Sequence, residues 1–256
     1  MLLDKAPKLS ERGKIIIDGD VIAYRAAYSS EDSNEIDTQL KVDQVMRFIL
    51  NKTRTTSEFD DYSLYLTGGN NFRHEIAVTY PYKGNRSDKP KPKYLPHARW
   101  YLKDNYGAVI IEGQEADDAI AIEATVEGPS SIVVSIDKDM LQIPCFHYNQ
   151  NKDQWWSVSE FEGLEFFYEQ ILTGDTADNI VGLKGIGPVK AKKILKGAES
   201  EQDLWTAVLE AYDGDEQRVI ENARLLWLRR QQEELWVPPQ LQVDDEEPSQ
   251  QDTDQG

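Results

Sequence analysis

The sequence predicts an α/β fold: a central, mostly parallel twisted sheet flanked by helices, followed by a smaller helical subdomain. Three observations predict it. Segments near residues 14–20, 62–66, 108–111 and 131–136 read as strands, the first an apolar run without alternation, as expected of a strand covered on both faces. Helix-periodic stretches separate them. From about residue 160 onward the pattern is wholly helical.

The elements follow in chain order. Lys14-Ile15-Ile16-Ile17-Asp18-Gly19-Asp20 is a buried strand that ends in acid, with a helix after it through 21–24. A second helix over 41–54 carries Val42, Val45, Met46, Ile49 and Leu50 on one face. Between the third and fourth strands, Asp117 and Asp118 open a further helix, where carboxylates favour the positive helix end. Helices are then predicted over 161–173, 189–195, 201–212 and 215–236, and Pro238-Pro239 ends the ordered chain. The expected divisions are an α/β core at 1–160, a helical subdomain at 161–237 and an acidic, disordered tail at 238–256. No internal repeat is visible. Residues 72–100 mix Pro81, Pro90, Pro92 and Pro96 with Lys83, Arg86, Lys89, Lys91 and Lys93. So many charges resist burial, so this stretch reads as a surface loop or arch.

The 256 residues carry a formal net charge of −18, which argues against nucleic acid until its distribution is considered. Much of the acid lies in the tail or in compact groups that bound cations would neutralise. The cations concentrate between Lys83 and Lys93 and between Lys184 and Lys196. A single cysteine, Cys145, excludes an internal disulfide and fits a reducing compartment. No apolar run reaches membrane-spanning length, and residues 1–14 lack a signal-peptide core. The expected location is cytoplasmic, with no membrane partner.

In parallel sheets, sites form beyond the carboxyl ends of the strands. Asp18 and Asp137 stand at such ends. The full acidic set is Asp18 (with Asp20), Glu115, Asp117, Asp118, Asp137, Asp139, Asp175 and Asp178. Crowded carboxylates raise one another's pKa, and hard divalent cations such as Mg²⁺ relieve that cost. Two such ions about 4 Å apart would activate a water and stabilise the leaving oxygen of a phosphodiester. No Cys/His cluster points to zinc. Taken singly, each acid is equally well a solvated strand-end or helix-start residue.

Gly182-Leu183-Lys184-Gly185-Ile186-Gly187-Pro188, leading into Lys190, Lys192 and Lys193, has the form of a helix–hairpin–helix turn. Gly185 and Gly187 permit close backbone approach, and amides at the following helix start suit a phosphate. A tight corner with solvated lysines would have the same composition. Tyr82-Lys83-Gly84-Asn85-Arg86 offers two cations for phosphates and an aromatic ring for a base. Arg73 is a weaker candidate of the same kind.

As an ordered set, these motifs resemble the flap endonuclease and 5′→3′ exonuclease family, which includes phage 5′ nucleases and the 5′-nuclease domain of bacterial DNA polymerase I. The matching segments are Ile17-Asp18-Gly19-Asp20, Phe72-Arg73-His74-Glu75, Tyr82-Lys83-Gly84-Asn85-Arg86, Glu115-Ala116-Asp117-Asp118, Ser135-Ile136-Asp137-Lys138-Asp139, Gly174-Asp175-Thr176-Ala177-Asp178-Asn179 and the hairpin. The resemblance spans about residues 15–196.

The resemblance implies a PIN-like 5′-nuclease core with two Mg²⁺ or Mn²⁺ ions per site. Asp18, Glu115, Asp117 and Asp118 would serve the first ion, and Asp137, Asp139, Asp175 and Asp178 the second. It implies Lys83 and Arg86 at the scissile phosphate. Arg73, Tyr82, Gly185, Gly187, Lys190, Lys192 and Lys193 would meet DNA, with K⁺ at the hairpin carbonyls. One departure stands out. Where the family carries another acid after the second strand, this chain reads Thr67-Gly68-Gly69-Asn70-Asn71, with no acid; the first ion would be more hydrated or more weakly held, or Asp20 would compensate.

The expected activity is metal-dependent 5′→3′ hydrolysis of duplex or branched DNA with free 5′ ends, including flap cleavage, leaving 5′-phosphate products. The short chain, without a polymerase region, suggests a stand-alone phage-type replication enzyme. The alternatives are an inactive branched-DNA-binding module of the same fold and a PIN-like ribonuclease.

Overall fold

A computed structural model of the chain describes residues 1–54, 62–86 and 90–239. Lys89 and the acidic stretch from 240 onward lie outside the described residues, and so does the expectation of a disordered tail.

Short β1 (Leu2–Leu3) precedes the central strand β2 (Ile15–Asp18), whose four residues are all buried. Then come α1 (Gly19–Ser29), α2 (Glu35–Thr53), β3 (Tyr62–Thr67), α3 (Arg73–Ile76), α4 (Leu95–Tyr106), β4 (Val109–Ile111), α5 (Ala116–Glu127) and β5 (Ile132–Val134). A 3₁₀ turn at Lys138–Gln142 leads to β6 (Phe146–Asn149) and β7 (Gln154–Ser157). The helical part comprises α6 (Glu160–Thr173), a ribbon of β8 (Gly174–Asp175) and β9 (Ile180–Val181), α7 (Pro188–Ile194), α8 (Glu201–Ala211) and α9 (Glu216–Leu226).

The main sheet has the order β1-β7-β6-β5-β2-β3-β4. β6, β5, β2, β3 and β4 run parallel, while β7 and β1 are antiparallel additions at one edge. The four expected strands are therefore joined by three more. β6 and β7 escape the apolar-run criterion because Phe-His-Tyr-Asn and Gln-Trp-Trp-Ser are short and half polar. The strand order switches direction between β2 and β5, so the chain leaves a crevice beyond their carboxyl ends.

Successive isoleucines of β2 divide between the two sheet faces. Ile15 and Ile17 join Ile22, Val42, Met46 and Leu102 under α1, α2 and α4, while Ile16 meets Ile120, Ala124 and Val133 under α5. Each is completely buried, worth roughly 1.5–3 kcal/mol apiece. The helical part has its own core around Phe167, Ile171, Trp205, Val219 and Trp236.

Two boundaries differ from expectation. α2 starts at Glu35 because Asn34 caps it, accepting from the Asp37 amide at 3.0 Å, although its first turn lacks an apolar stripe. α9 stops at Leu226, where Trp227 turns extended (ψ 128). The following strap inserts Leu228 into the α5 core and Trp236 into the helical core, tying the two halves together. The 72–100 segment is also less open than an arch of loops, since α3 and the start of α4 lie within it. No helix among the described residues is long and apolar enough to cross a membrane.

Candidate metal centre and nucleic-acid interface

The backbone gathers acids from both halves of the chain at the crevice. Asp18 ends β2 and caps α1, accepting from the Val21 amide at 3.2 Å. Glu115 caps α5, with Asp117 in its first turn. Asp137 caps the 3₁₀ turn after β5, and Asp139 lies within that turn. Asp175 and Asp178 come from the β8–β9 ribbon, where Asn179 takes a positive φ of 61 and turns the chain back. These seven acids line one cavity of about 520 Å³, together with Asp20, Lys83, Arg86, Lys91, Arg99 and Lys138.

Crowding and loss of hydration govern the electrostatics. Burial pushes the Asp18 carboxyl up to about 7, with Asp20 and Asp137 adding repulsion against the hydrogen bond from Ser135. The Ser135 hydroxyl donates to Asp18 at 2.8 Å. Asp139 rises to about 7 through desolvation, then through Asp137 and Asp175. Asp117 is held well above the carboxylate range by desolvation, then by Asp18, Glu115 and Asp137. Asp137 is raised for the same first reason. The basin thus strains against carrying all its charge without added cations.

The protein supplies part of that compensation itself. Lys83, at a positive φ of 55, places its ammonium on Glu115 and 3.6 Å from Asp178. Arg86 pairs with Asp178 and donates Nε to the Ala177 carbonyl at 2.8 Å. The Lys83 amide donates to the Asp178 carbonyl at 2.8 Å, and Asn179 Nδ2 to the Pro81 carbonyl at 2.9 Å. The arch segment around residues 81–86 is therefore docked on the ribbon that carries Asp175 and Asp178.

Three expected site residues are placed otherwise. Asp118 is fully buried and takes two guanidinium N–H bonds from Arg73, at 2.6 and 2.8 Å, plus the Arg229 and Glu115 amides at 3.2 Å. It does not line the cavity. Adjacent helix positions point about 100° apart, and here that rotation turns Asp118 inward while Asp117 faces the basin. Arg73, 1% exposed, also donates to the carbonyls of Leu225 and Trp227. It is a buried structural cation, with no surface for DNA. The Tyr82 ring is in the helical core, 4% exposed, and is unavailable to stack on a base. Its hydroxyl lies 2.9 Å from Glu115 and 2.7 Å from Asp178. One phenolic proton serves two carboxylates there.

Gly185 and Gly187, on the turn into α7, and Lys190, Lys192 and Lys193, within it, do not line the basin. Gly185 has φ +77, a left-handed conformation, whereas Gly187 has an ordinary φ of −106 and open space where a Cβ would stand. Lys190 Nζ donates to the Gly185 carbonyl at 2.8 Å, so that hairpin carbonyl already has a cationic partner.

Sequence reasoning missed Arg99 of α4, which pairs with Asp20 and donates to the Thr67 carbonyl. It also missed Gln170, whose Nε2 orients Asp139 at 2.7 Å. The only available signal for Arg99 was a cation beside the arch. Nothing marked Gln170.

The donor set suits a hard divalent cation: every candidate ligand in the cavity is a carboxylate, and its lining holds no cysteine or histidine. Among the described residues no group of three or more His, Cys, Asp or Glu side chains already stands close enough to hold a metal ion.

Residues 14–162 match the family model described as 5′-3′ exonuclease, N-terminal resolvase-like domain. A 5′-3′ exonuclease of Buchnera aphidicola is 27% identical over 222 residues, covering 79% of this chain and 76% of that protein. DNA polymerase I of Rhizobium leguminosarum is 33% identical over 143 residues, or 49% of this chain, which spans only 14% of the polymerase. Flap endonuclease Xni of Shewanella piezotolerans is 30% identical over 55% of this chain and 60% of its own. Among solved structures, the bacteriophage T5 flap endonuclease in a pseudo-enzyme-product complex with DNA and metal ions has the same fold. It has TM-score 0.66 and 17% identity, covering 84% of this chain and 89% of that one. Flap endonuclease-1 of Methanococcus jannaschii gives 0.56 at 14% identity, with coverages of 91% and 85%.

Proposed function

We propose, because this chain belongs to the 5′-3′ exonuclease family and is a nuclease, that it is a Mg²⁺- or Mn²⁺-dependent 5′→3′ exonuclease with flap-cleaving activity on DNA. The observation that carries this reading is the single cavity in which seven acids from two halves of the chain meet Lys83 and Arg86.

Bound divalent cations supply an activated water and stabilisation of the leaving oxygen at a phosphodiester. The remaining work falls to the chain. Ser135 and Gln170 hold Asp18 and Asp139 in fixed orientations, and Tyr82 fixes Glu115 against Asp178. Lys83 and Arg86 neutralise Glu115 and Asp178 while the basin lacks other cations. With divalent cations held by the seven acids, Lys83 and Arg86 would be free to meet the scissile phosphate, where negative charge develops. The hairpin holds duplex phosphates through backbone approach at Gly187 and through Lys190, Lys192 and Lys193, without reading bases. Products would carry 5′-phosphates.

The test is a product ladder from 5′-labelled blunt, gapped and flapped DNA, with Mg²⁺ and with chelator. Mg²⁺-dependent release of labelled mononucleotides or short fragments is expected. Tight binding of branched DNA with no cleavage under any divalent ion would establish the non-catalytic alternative, and cleavage confined to RNA would establish the ribonuclease.

A further inference from the structure

We propose that Arg99 is a built-in counter-cation that keeps Asp20 out of the metal ligand set and thereby sets how tightly the α1–β3 side of the basin holds divalent ions. The inference rests on the metal-dependent reading of the basin. Asp20, in the first turn of α1, lines the same cavity as the other acids and stands two residues from Asp18. It is the acid best placed to substitute where the chain reads Thr67-Gly68-Gly69.

Both Asp20 oxygens are already committed. One pairs with Arg99 Nη1, and the other accepts from the Thr67 amide at 2.8 Å. Arg99 Nη2 donates to the Thr67 carbonyl, which closes a ring linking α1, the end of β3 and α4. The Thr67 hydroxyl accepts from the Ala116 amide at 3.0 Å, so this strand end also anchors the start of α5.

The pair is only partly exposed, with side chains at 24% and 21%, so solvent screens it incompletely. Arg99 shares no carboxylate with Lys83 or Arg86, which occupy Glu115 and Asp178. The protein therefore neutralises this corner with a fixed guanidinium. An ion approaching Asp18 and Asp117 from this side meets a neutral pair rather than a third carboxylate.

The test is titration of the purified protein with Mn²⁺, followed by the electron paramagnetic resonance of free Mn²⁺ with folding checked by circular dichroism. Arg99→Gln releases Asp20 and removes one positive charge from the basin, so Mn²⁺ affinity is expected to rise at least about tenfold. Arg99→Lys keeps the charge and should stay within about threefold of wild type. The double variant Arg99→Gln with Asp20→Asn removes a neutral pair and should return to wild-type affinity, which keeps the test decisive even where Arg99→Gln alone folds poorly. Unchanged or weaker Mn²⁺ binding in Arg99→Gln overturns the proposal. So does a double variant much weaker than wild type, which would make Asp20 a ligand despite its partner. Wild-type protein that binds no Mn²⁺ would instead overturn the metal reading on which the proposal stands.

Discussion

Arg73 holds Asp118 by a two-point ion pair at 2.6 and 2.8 Å, sealed from solvent between α3, α5 and the end of α9. The carboxylate strengthens the guanidinium's positive charge against the cost of burial, so the Arg73 pKa rises rather than falls. Removing one partner strands the other. Arg73→Ala should destabilise the fold by about 3–5 kcal/mol. Asp118→Asn should also lower the melting temperature while leaving Mn²⁺ affinity near wild type. Loss of metal binding in a well-folded Asp118→Asn variant would return that residue to the metal centre.

Asp137→Asn and Asp175→Asn should each cut hydrolysis by about 10²-fold or more, because each would remove charge from the basin proposed to hold the ions. DNA affinity measured in Ca²⁺ should stay within a few-fold. Turnover near wild type in either variant would sink the two-metal reading.

Stability should depend on pH in a metal-sensitive way. Asp18 and Asp139 are both raised to about 7 in the folded chain. An acid with a raised folded pKa favours the fold while protonated, so stability falls as pH climbs from the ordinary carboxylate range through 7. The loss in chelator should be on the order of 2–4 kcal/mol. Divalent ions compete for the ionised form, so Mg²⁺ should raise the melting temperature more at pH 8 than at pH 5.5. His147, buried away from the basin and lowered to about 4 by desolvation, penalises the fold as pH drops from 6.5 toward 4. It does so with or without Mg²⁺, so the comparison cancels it. Equal Mg²⁺ stabilisation at both pH values would refute the carboxylate account.

Lys83→Ala should lower the single-turnover rate far more than it weakens binding, by about 10²-fold, if its charge serves the transition state as proposed. An unchanged rate would reduce residues 81–86 to a structural tether of the ribbon.

At the hairpin the two glycines separate folding from binding. Ala at Gly185 meets a left-handed backbone and should cost about 1–2 kcal/mol. Ala at Gly187 finds room and an ordinary φ, so stability should hold within about 0.5 kcal/mol. Weaker binding of all duplex sequences by Gly187→Ala would then report backbone contact with phosphate. Lys190→Ala with Lys192→Ala should flatten the salt dependence of binding by up to about one unit of log K per log salt for each lost contact. A wild-type slope would leave these lysines as solvated surface.

The strands β2 and β5 were legible because full burial leaves unbroken apolar runs, and Asp18 and Asp137 followed as the acids just beyond or at the ends of those runs. The paired acids at 117 and 118 were not separable by eye, because helix rotation sends neighbours to different environments. Only the three-dimensional approach of Arg73, 45 residues away in sequence, reveals which one is internal. Tyr82 misled because its flanking cations and prolines signal exposure, while its ring fills the helical core. β6 and β7 were invisible because Phe-His-Tyr-Asn and Gln-Trp-Trp-Ser are short and half polar, although Tyr148 and Trp155 pack into the core. Arg99 carries no local pattern; its partners Asp20 and Thr67 meet it only through the helix-to-sheet crossing.

The ribbon bearing Asp175 and Asp178 lies beyond residue 162, where the recognisable domain signature ends. A fragment cut there would keep β2 through β7 and five of the seven basin acids, with Lys83 and Arg86 deprived of the surface on which they dock. Chemistry here is a property of two modules in register. Any drift of the helical half against the sheet, whether by truncation, insertion in the strap or local melting of α6, should part Asp175 and Asp178 from the other five acids before the fold itself is lost.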